Sequence, residues 1–487
     1  MATDILIISD DVVGEKMAGP GIRAWEISKC LARHFRVTLA IPDYSYVSGL
    51  DWFFSGLDFD VIRYSVLNPA SLQSAAAESR IILIQGYILS KFSFLKETAA
   101  YRIVDIYVPF VLENLFVHKA KVPNMKDREF IHLNDLRVLN EQLIWGDHFL
   151  CANARQKDLF LGSLMALDRI NPQTLDSSPS LQDLISIVPF GIAGEDLGIT
   201  IQPTGRTADL AAAESAAAAA GPRTLKGVMP GIGPDDILLM WGGVLTNWFD
   251  PVTLIRAVHE ALDDDPRLRL FFLSTKHPNP MLPELDAARE AVREAEKLGL
   301  RDRAVFFNES WVDYADRSRY LREADIGVSI HKTHFETWYS FRTRILDYLK
   351  YRLPIICTEG DYFAELVDRE KLGFVVRSED VDGLKEAILR LAGDIELRQE
   401  IQRRSFRVRR QFLWERVTEP LVRHCSRVLA GDAPKVYHPD KRDMAYISGS
   451  KEDSTLAKRG KRHFWSLFQR MPAALSARLR RLLQFLR

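Results

Sequence analysis

An apolar segment, a glycine-containing loop and a helix open this chain in that order, and the same order starts again near its middle. Asp4–Ile8 is apolar after its first residue, and the loop Ala18–Ile22 that follows contains two glycines. Ile237–Trp241 leads in the same way into Gly242-Gly243. Continuous apolar strands are typical of parallel sheets that helices cover on both faces. The pattern therefore predicts an α/β chain with two Rossmann-like domains.

Shorter apolar segments continue both series, with helical patterns between them. Strands are predicted at 36–41, 81–84, 101–104, 149–151 and 185–188 in the first series, and at 268–273, 305–307, 326–329 and 354–357 in the second. The 487 residues suffice for two domains of ordinary size. Because open α/β sheets bind ligands at the carboxyl ends of their strands, we expect the site in a cleft between the domains.

Alanine, glycine and proline separate the two series. Residues 211–220 are nearly all alanine, and glycines and prolines follow up to Pro234. Such a composition indicates a linker. The predicted organisation is a first domain over 1–200, a linker or insert over 201–234, a second domain over 235–405, helices packing back toward the first domain over 406–431, and a tail over 432–487.

The tail carries a charge of its own. The whole chain has a formal net charge of zero, but residues 458–487 contain nine Lys or Arg residues and no acidic residue. The remaining body is therefore acidic, which argues against nucleic acid as a partner. Aromatic residues and leucines alternate with these arginines, a pattern that favours a helix lying on an anionic membrane surface. A solvated helix or a partner-binding helix is the alternative.

Other whole-chain features indicate a cytoplasmic protein. The four cysteines are far apart and have apolar or helical neighbours, so we expect buried, reduced thiols rather than disulfides or metal ligands. The sequence starts directly with a strand and shows no secretory signal, and no apolar segment is long enough to cross a membrane. With the basic tail, this predicts a peripheral location on the inner face of the membrane.

Two segments carry candidate binding residues. Gly19 and Gly21 precede the first helix, where glycines let a ligand approach the main chain and the helix N-terminus favours negative charge. By themselves they favour an ordinary tight turn between strand and helix. In the segment 336–357 a helix is predicted from about Ser340, with Arg342 and Arg344 in its first turn. Arginines there oppose the helix dipole unless an anion such as a diphosphate is bound.

This segment resembles the family-four glycosyltransferases of the GT-B fold. Asp347 and Pro354 stand at the spacing of that family's second glutamate and its proline, and Ser340-Phe341-Arg342 stands where a Gly-Phe-Gly-like loop is usual. Further similar stretches are 19–23, 147–150, 188–192, 324–325, 358–361, 365–367, 373–376 and 380–381. The resemblance extends over most of the two predicted domains.

The resemblance implies a retaining transfer of sugar from a nucleotide-diphosphate donor to a glycan or lipid-linked acceptor, with no permanent cofactor and no metal. The first domain would then bind the acceptor and the second the nucleotide sugar, in the synthesis of a surface polysaccharide or O-antigen. Glu336 is the candidate for contacting the donor sugar, and Asp105 and Tyr107 lie near the family's catalytic histidine. The candidate donor-binding residues are Gly19, Gly21, Gly242, Gly243, Lys276, Ser340, Phe341, Arg342, Arg344 and Asp347.

Departures from the family pattern keep other interpretations open. The family's first glutamate would align with Tyr339, and its basic pair after the first strand of the second domain is replaced by Gly243 and 247–250. A catalytically silent scaffold or a sugar-nucleotide epimerase are the alternatives. His331 and His334 lack further metal ligands in the sequence and are interpreted as loop or sugar-contact residues. Packing is favoured over ligand stacking for Trp241, Trp248 and Phe249, and Trp311 is a candidate for the nucleotide pocket.

Overall fold

The computed structural model describes residues 3–43, 53–194, 222–275 and 286–432. Both sheets lie within one compact unit, which extends from residue 1 to residue 437. The prediction of an α/β chain with two Rossmann-like domains is confirmed. The tail at 433–487, including the basic segment 458–487, and most of the predicted linker lie outside the described residues.

The first domain is built on a seven-stranded parallel sheet. Its spatial order is β3-β2-β1-β4-β5-β6-β7. The strands β2 and β3 therefore lie on one side of β1, and β4 to β7 lie on the other side. The strands are β1 Ile5–Ile8, β2 Val37–Pro42, β3 Asp60–Tyr64, β4 Ile81–Gln85, β5 Tyr101–Asp105, β6 His148–Cys151 and β7 Ile185–Ile187. All four side chains of the central β1 are fully buried, as expected for a strand covered on both faces.

Seven helices cover this sheet in the described part of the domain. They are α1 Gly19–Ala32, α2 Ala70–Glu78, α3 Ile88–Lys91, α4 Phe110–Lys121, α5 Met125–Trp145, α6 Ala154–Ala166 and α7 Pro172–Ser177, and a short 3-10 helix spans Ser93–Lys96. Helix α6 starts where the Asn153 side chain accepts a hydrogen bond from the Gln156 N–H. This cap fixes the α6 N-terminus, which faces the second domain.

The second domain repeats the arrangement with six parallel strands. The spatial order is β10-β9-β8-β11-β12-β13, so β9 and β10 lie on one side of β8 and β11 to β13 lie on the other side. The strands are β8 Ile237–Trp241, β9 Leu268–Phe272, β10 Val305–Phe307, β11 Ile326–Ser329, β12 Ile355–Thr358 and β13 Gly373–Val376. The helices are α8 Pro251–Ala261, α9 Asp286–Lys297, α10 Arg317–Leu321, α11 Phe335–Tyr339, α12 Arg344–Lys350, α13 Tyr362–Arg369, α14 Val381–Gly393 and α15 Ile395–Val408.

The chain returns to the first domain after α15. A 3-10 helix at Arg409–Phe412 leads into α16 Trp414–Val417 and α17 Glu419–Ala430. The Ile192 N–H donates to Phe412 O, and the Trp414 N–H donates to Ile192 O. Further along, His424 stacks on His148 of β6 with ring centroids 3.7 Å apart. The last helices therefore pack against the sheet of the first domain.

Two local details differ from the sequence-based expectation. The helix expected near Ser340 is two helices, α11 and α12, separated by a loop that contains Ser340 and Arg342. Residues 222–234, assigned above to the linker, pack on the second domain, because the Glu323 carboxylate accepts hydrogen bonds from the backbone N–H groups of residues 224–226. The described second domain thus begins earlier than 235.

Candidate functional site

A cleft of about 720 Å³ lies between the two domains at the carboxyl ends of their strands. The loop after β1 contributes Gly19 from one side, and the loop after β8 contributes Gly242 and Gly243 from the other. Helix α12 adds Arg344 and Asp347. Five of the predicted donor-binding residues therefore line one cavity, at the position where open α/β sheets bind ligands.

Arg344 is a buried positively charged group of the second domain in this cleft. It is 8% exposed, and its guanidinium lies over the rings of Trp241 and Phe249, with Cζ 4.4 and 3.9 Å from the ring centroids. Nη2 donates to Val244 O at 2.9 Å, whereas Nη1 has no hydrogen-bond partner among the described residues. Burial lowers the pKa of Arg344 to about 9. A buried guanidinium with an unused donor is a favourable position for an anion.

Tyr348 fixes the glycine pair on the same wall as Arg344. Its buried hydroxyl accepts a hydrogen bond from the Gly242 N–H at 2.8 Å and lies 2.7 Å from Val328 O. Gly243 has φ of +96°, a conformation that side chains with a Cβ rarely adopt, and the space at its Cβ position is open. The two glycines thus present main chain to the cleft without a side chain in between.

Asp347 shares the cleft with a basic partner. Its Oδ2 lies 2.9 Å from Nη2 of Arg317, and both side chains are partly exposed. Because the ion pair uses one carboxylate oxygen, the other is available to accept hydrogen bonds from hydroxyl groups. Asp347 is therefore oriented by Arg317 and still faces the cavity.

Glu336 and Arg342 form a buried ion pair with each other. Nη1 and Nη2 of Arg342 donate to the two carboxylate oxygens of Glu336 at 2.9 and 2.6 Å, and Glu336 is fully buried. Neither side chain lines the cleft, and the same holds for Ser340 and Phe341, whose ring packs on Phe363. This pair supports the loop before α12. Because the Arg342 guanidinium binds Glu336 and does not line the cleft, the geometry does not favour the predicted contact between Arg342 and a diphosphate.

Asp105 and Tyr107 are also engaged away from the cavity. Arg23 donates from Nε and Nη2 to the Asp105 carboxylate at 2.6 and 3.0 Å, and its guanidinium lies 4.4 Å from the Tyr107 ring centroid. Gly21 is buried by close packing, since a Cβ there would lie 2.0 Å from Val12 O. These three residues do not line the cleft, and their assigned roles in the reaction stay predictions.

Comparison with known families and structures is consistent with this geometry. The sequence profile of the family described as glycosyl transferases group 1 matches residues 236–394, which contain the second sheet and α12. No curated protein matches the chain by sequence.

Solved structures reproduce the arrangement of both domains. HepE from Anabaena in complex with UDP-glucose is 13% identical, with a TM-score of 0.58 over 88% of this chain and 100% of that one. Sucrose-phosphate synthase from Thermosynechococcus elongatus is 15% identical, with a TM-score of 0.56 over 88% and 100%. WaaG, a glycosyltransferase involved in lipopolysaccharide biosynthesis, is 13% identical, with a TM-score of 0.53 over 86% and 98%.

The second domain belongs to the glycosyl transferases group 1, and the chain has the two-domain GT-B fold. The family profile covers the domain that carries Arg344 and the glycine pair, and the structural likeness extends over both domains. The expectation drawn from the residues around Asp347 and Pro354 is thereby confirmed.

Several residues of this glycosyltransferase cleft were not predicted as site residues. They are Glu113, Asn114, Val117 and Lys121 on one face of α4, and Thr246, Thr275, Arg317, Thr343 and Lys350 in the second domain. The spacing of 113, 117 and 121 places one side chain per turn of a helix on the same face, which is a signal that the sequence contains. Trp311 and Trp248 also line the cleft, and contact of Trp311 with a nucleotide stays a prediction.

The remaining expectations concern Lys276, the histidines, metal and membrane features, and the cysteines. Lys276 lies outside the described residues. His334 stacks on Phe116 of α4 at 4.1 Å between ring centroids, and His331 is fully buried 3.6 Å from Asp361. In the described ranges, no group of three or more metal-ligating side chains has suitable geometry, and no helix has the length and apolarity to cross a membrane. All four cysteines are buried and free, as expected.

Proposed function

We propose that this glycosyltransferase transfers a sugar, with retention of configuration, from a nucleotide-diphosphate donor to a glycan or lipid-linked acceptor of a surface polysaccharide or O-antigen. The observation that carries the donor assignment is the buried Arg344, whose Nη1 lacks a partner and whose side chain lines the cleft. The solved HepE complexes contain UDP or UDP-glucose, which makes a UDP-sugar the first donor to test.

The second domain supplies the groups that a nucleoside diphosphate needs. Arg344 neutralises phosphate oxygens, and the main chain at Gly242 and Gly243 allows close approach. The free oxygen of Asp347 accepts a hydrogen bond from a ribose hydroxyl, with Arg317 fixing the carboxylate. The sugar then extends toward the first domain, where the acceptor enters along α4.

The reaction needs no resident cofactor. The bond between the sugar C1 and the diphosphate oxygen breaks with its electron pair leaving on the diphosphate, while the acceptor oxygen bonds to C1 from the same face. The acceptor hydroxyl proton passes to the leaving phosphate oxygen. Fixed donors such as the Arg344 guanidinium stabilise the charge that develops on the diphosphate, and the cleft positions the two substrates.

Thermal shift and calorimetry with UDP-, GDP-, ADP- and dTDP-sugars test the donor site. Sugars of one nucleotide class should stabilise the wild type against thermal unfolding. Arg344→Ala should bind the same nucleotide sugar about 30-fold more weakly or worse, since a charge-assisted contact is lost. Asp347→Ala should also weaken binding. Arg319→Ala, on the exposed side of α10, is the matched control and should bind normally. A wild type that binds none of the four classes would refute the proposal.

The acceptor side of the proposal includes a membrane surface. The basic segment 458–487 would hold the enzyme on the inner, cytoplasmic face of an anionic membrane, where a lipid-linked acceptor is presented. Full-length protein should sediment with vesicles containing phosphatidylglycerol but not with pure phosphatidylcholine, and a chain ending at residue 457 should bind neither. Equal binding by both chains would exclude the tail as the anchor.

A catalytically silent scaffold is the second candidate, because Glu336 and Arg342, both assigned to the donor, occupy each other in an ion pair. A scaffold would neither hydrolyse nor transfer the sugar of a bound donor. An epimerase would convert the donor sugar to its epimer. Chromatography of the products after incubation with the bound nucleotide sugar distinguishes a transferase, an epimerase and a silent scaffold.

A further inference from the structure

We propose that Glu113 is the residue through which the first domain contacts the transferred sugar, with its carboxyl group hydrogen-bonded to a sugar hydroxyl. This inference rests on the proposed function and adds to it a sugar contact on the domain opposite the nucleotide. It concerns a side chain that no motif singled out and that reaches the cleft from the first turn of α4.

The position of Glu113 follows from how α4 meets the second domain. Helix α4 packs against α11, with Phe116 on His334, and Glu336 of α11 forms its ion pair with Arg342. Glu113 also lines the cleft whose opposite wall contains Arg344 and the glycine pair. A diphosphate bound by Arg344 would therefore place its sugar between the domains, on the side where α4 borders the cavity.

The protonation state of Glu113 suits a sugar contact. Burial, and then the negative charge of Glu336, raise the pKa of Glu113 to about 8, while Arg342 acts in the opposite direction. Arg342 donates hydrogen bonds to both carboxylate oxygens of Glu336. At neutral pH Glu113 is then a carboxylic acid, which donates one hydrogen bond and accepts another, as a sugar hydroxyl does.

Several ionisable groups around α4 have partners of their own. They are Tyr107 against Arg23, His334 against Phe116 and Thr337, and Asp135 with Tyr87 and Asn114. Lys121 lies two turns further along the same helix face. Glu336 and Arg342 are the charged groups that act on Glu113 directly.

The test compares affinity for a nucleotide with affinity for its sugar conjugate in the full-length chain. Calorimetry is run with UDP, GDP, ADP and dTDP and with the glucose conjugate of each. Glu113→Ala should leave the affinity for the free nucleotide unchanged and weaken binding of the conjugate by about tenfold, the size of one lost hydrogen bond. Glu113→Gln should stay close to wild type, because a neutral amide also donates and accepts.

The pH dependence separates a sugar contact from a structural role. Wild-type affinity for the conjugate, relative to the free nucleotide, should fall as the pH rises through about 8, and Glu113→Gln should show no such fall. Glu129→Gln, an exposed glutamate on α5, is the control and should keep the wild-type profile.

Three results would overturn the inference. Glu113→Ala could bind the conjugate as tightly as wild type, or it could lose nucleotide and conjugate equally. Alternatively, Glu113→Gln could bind the conjugate as weakly as Glu113→Ala, while the wild-type affinity for the conjugate rises with pH. The ionised carboxylate would then be the form that contacts the sugar. A wild type that binds no nucleotide at all would refute the donor site itself, so the two failures are distinguishable.

Discussion

Arg23 and Asp105 form an ion pair in which neither side chain contacts solvent appreciably, with exposures of 0% and 1%. Arg23 also donates to the carbonyl oxygens of Val188 and Pro189, so it joins α1 and β5 to the segment after β7. The catalytic role predicted for Asp105 rests on its position near the family's histidine. Each oxygen of its carboxylate accepts a hydrogen bond from the Arg23 guanidinium inside the first domain.

Replacing Asp105 by Asn should destabilise the fold more than it affects nucleotide binding. Removing one member of a buried ion pair leaves the other charge without compensation, and we expect a loss of about 3–5 kcal/mol in the free energy of unfolding. Urea denaturation measures it. The exposed pair between Arg423 and Glu419 is the control, where Glu419→Gln should cost less than about 1 kcal/mol. A stable but inactive Asp105→Asn variant would contradict this expectation and support the catalytic role.

Tyr348→Phe should weaken both stability and nucleotide binding. Without the hydroxyl the buried Gly242 N–H loses its acceptor, at a cost of about 1–3 kcal/mol. Because Gly242 lines the cleft, we also expect weaker nucleotide binding by calorimetry. Tyr362→Phe is the control, because this partly buried ring stacks on Phe341. It should change stability and nucleotide affinity little. Unchanged stability in Tyr348→Phe would show that water replaces the lost acceptor.

The stacked histidines predict loss of stability in acid. Burial, followed by the charge of the neighbouring His424, lowers the pKa of His148 to about 3, and burial followed by Arg427 lowers that of His424 to about 4. An unfolded histidine titrates near pH 6.5, so below that value the unfolded chain binds more protons than the folded one. Stability should therefore decrease as the pH falls from about 6.5 toward about 4.

His424→Phe should make this decrease shallower by up to about 1.4 kcal/mol per pH unit, since one titrating group is removed. Urea denaturation between pH 7 and pH 4.5 gives the slope. His259→Phe, at an exposed position of α8, is the matched control and should keep the wild-type slope. Identical slopes in all three proteins would contradict the depressed pKa values.

The cysteines should be unreactive in the folded enzyme. Burial raises the thiol pKa of Cys30, Cys151 and Cys425 to about 12, and that of Cys357 well above its ordinary value. Because the thiolate is the reactive form, an aromatic disulfide reagent at pH 8 should label none of them in native protein within minutes. All four should react in denaturant. A thiol that reacts rapidly in the native state would reveal local opening around its helix or strand.

The fold could be predicted because its signals are local. The fully apolar β1 and β8, each followed by glycines and a helix, indicate parallel strands within short stretches of chain. The cleft position follows from the same pattern, and Gly19, Gly242, Gly243, Arg344 and Asp347 do line it.

The pairing of charges could not be predicted in this way. Arg23 and Asp105 are 82 positions apart, and nothing in either segment indicates that they meet. Glu336 and Arg342 are close in sequence, but the break between α11 and α12 that lets them pair is set by tertiary packing. The raised pKa of Glu113 likewise depends on burial at the cleft and, after that, on a carboxylate from the other domain.

The backbone hydrogen bonds at Ile192 join the two places where the chain passes between the domains. One passage leaves the first domain after Ile192, and the other enters it at Leu413, and the two are paired side by side. Two paired passages tie the domains to each other at this point, so a movement that opened or closed the cleft would have to keep or break these hydrogen bonds. Closure over a bound donor would bring the wall that carries Glu113 toward the wall that carries Arg344.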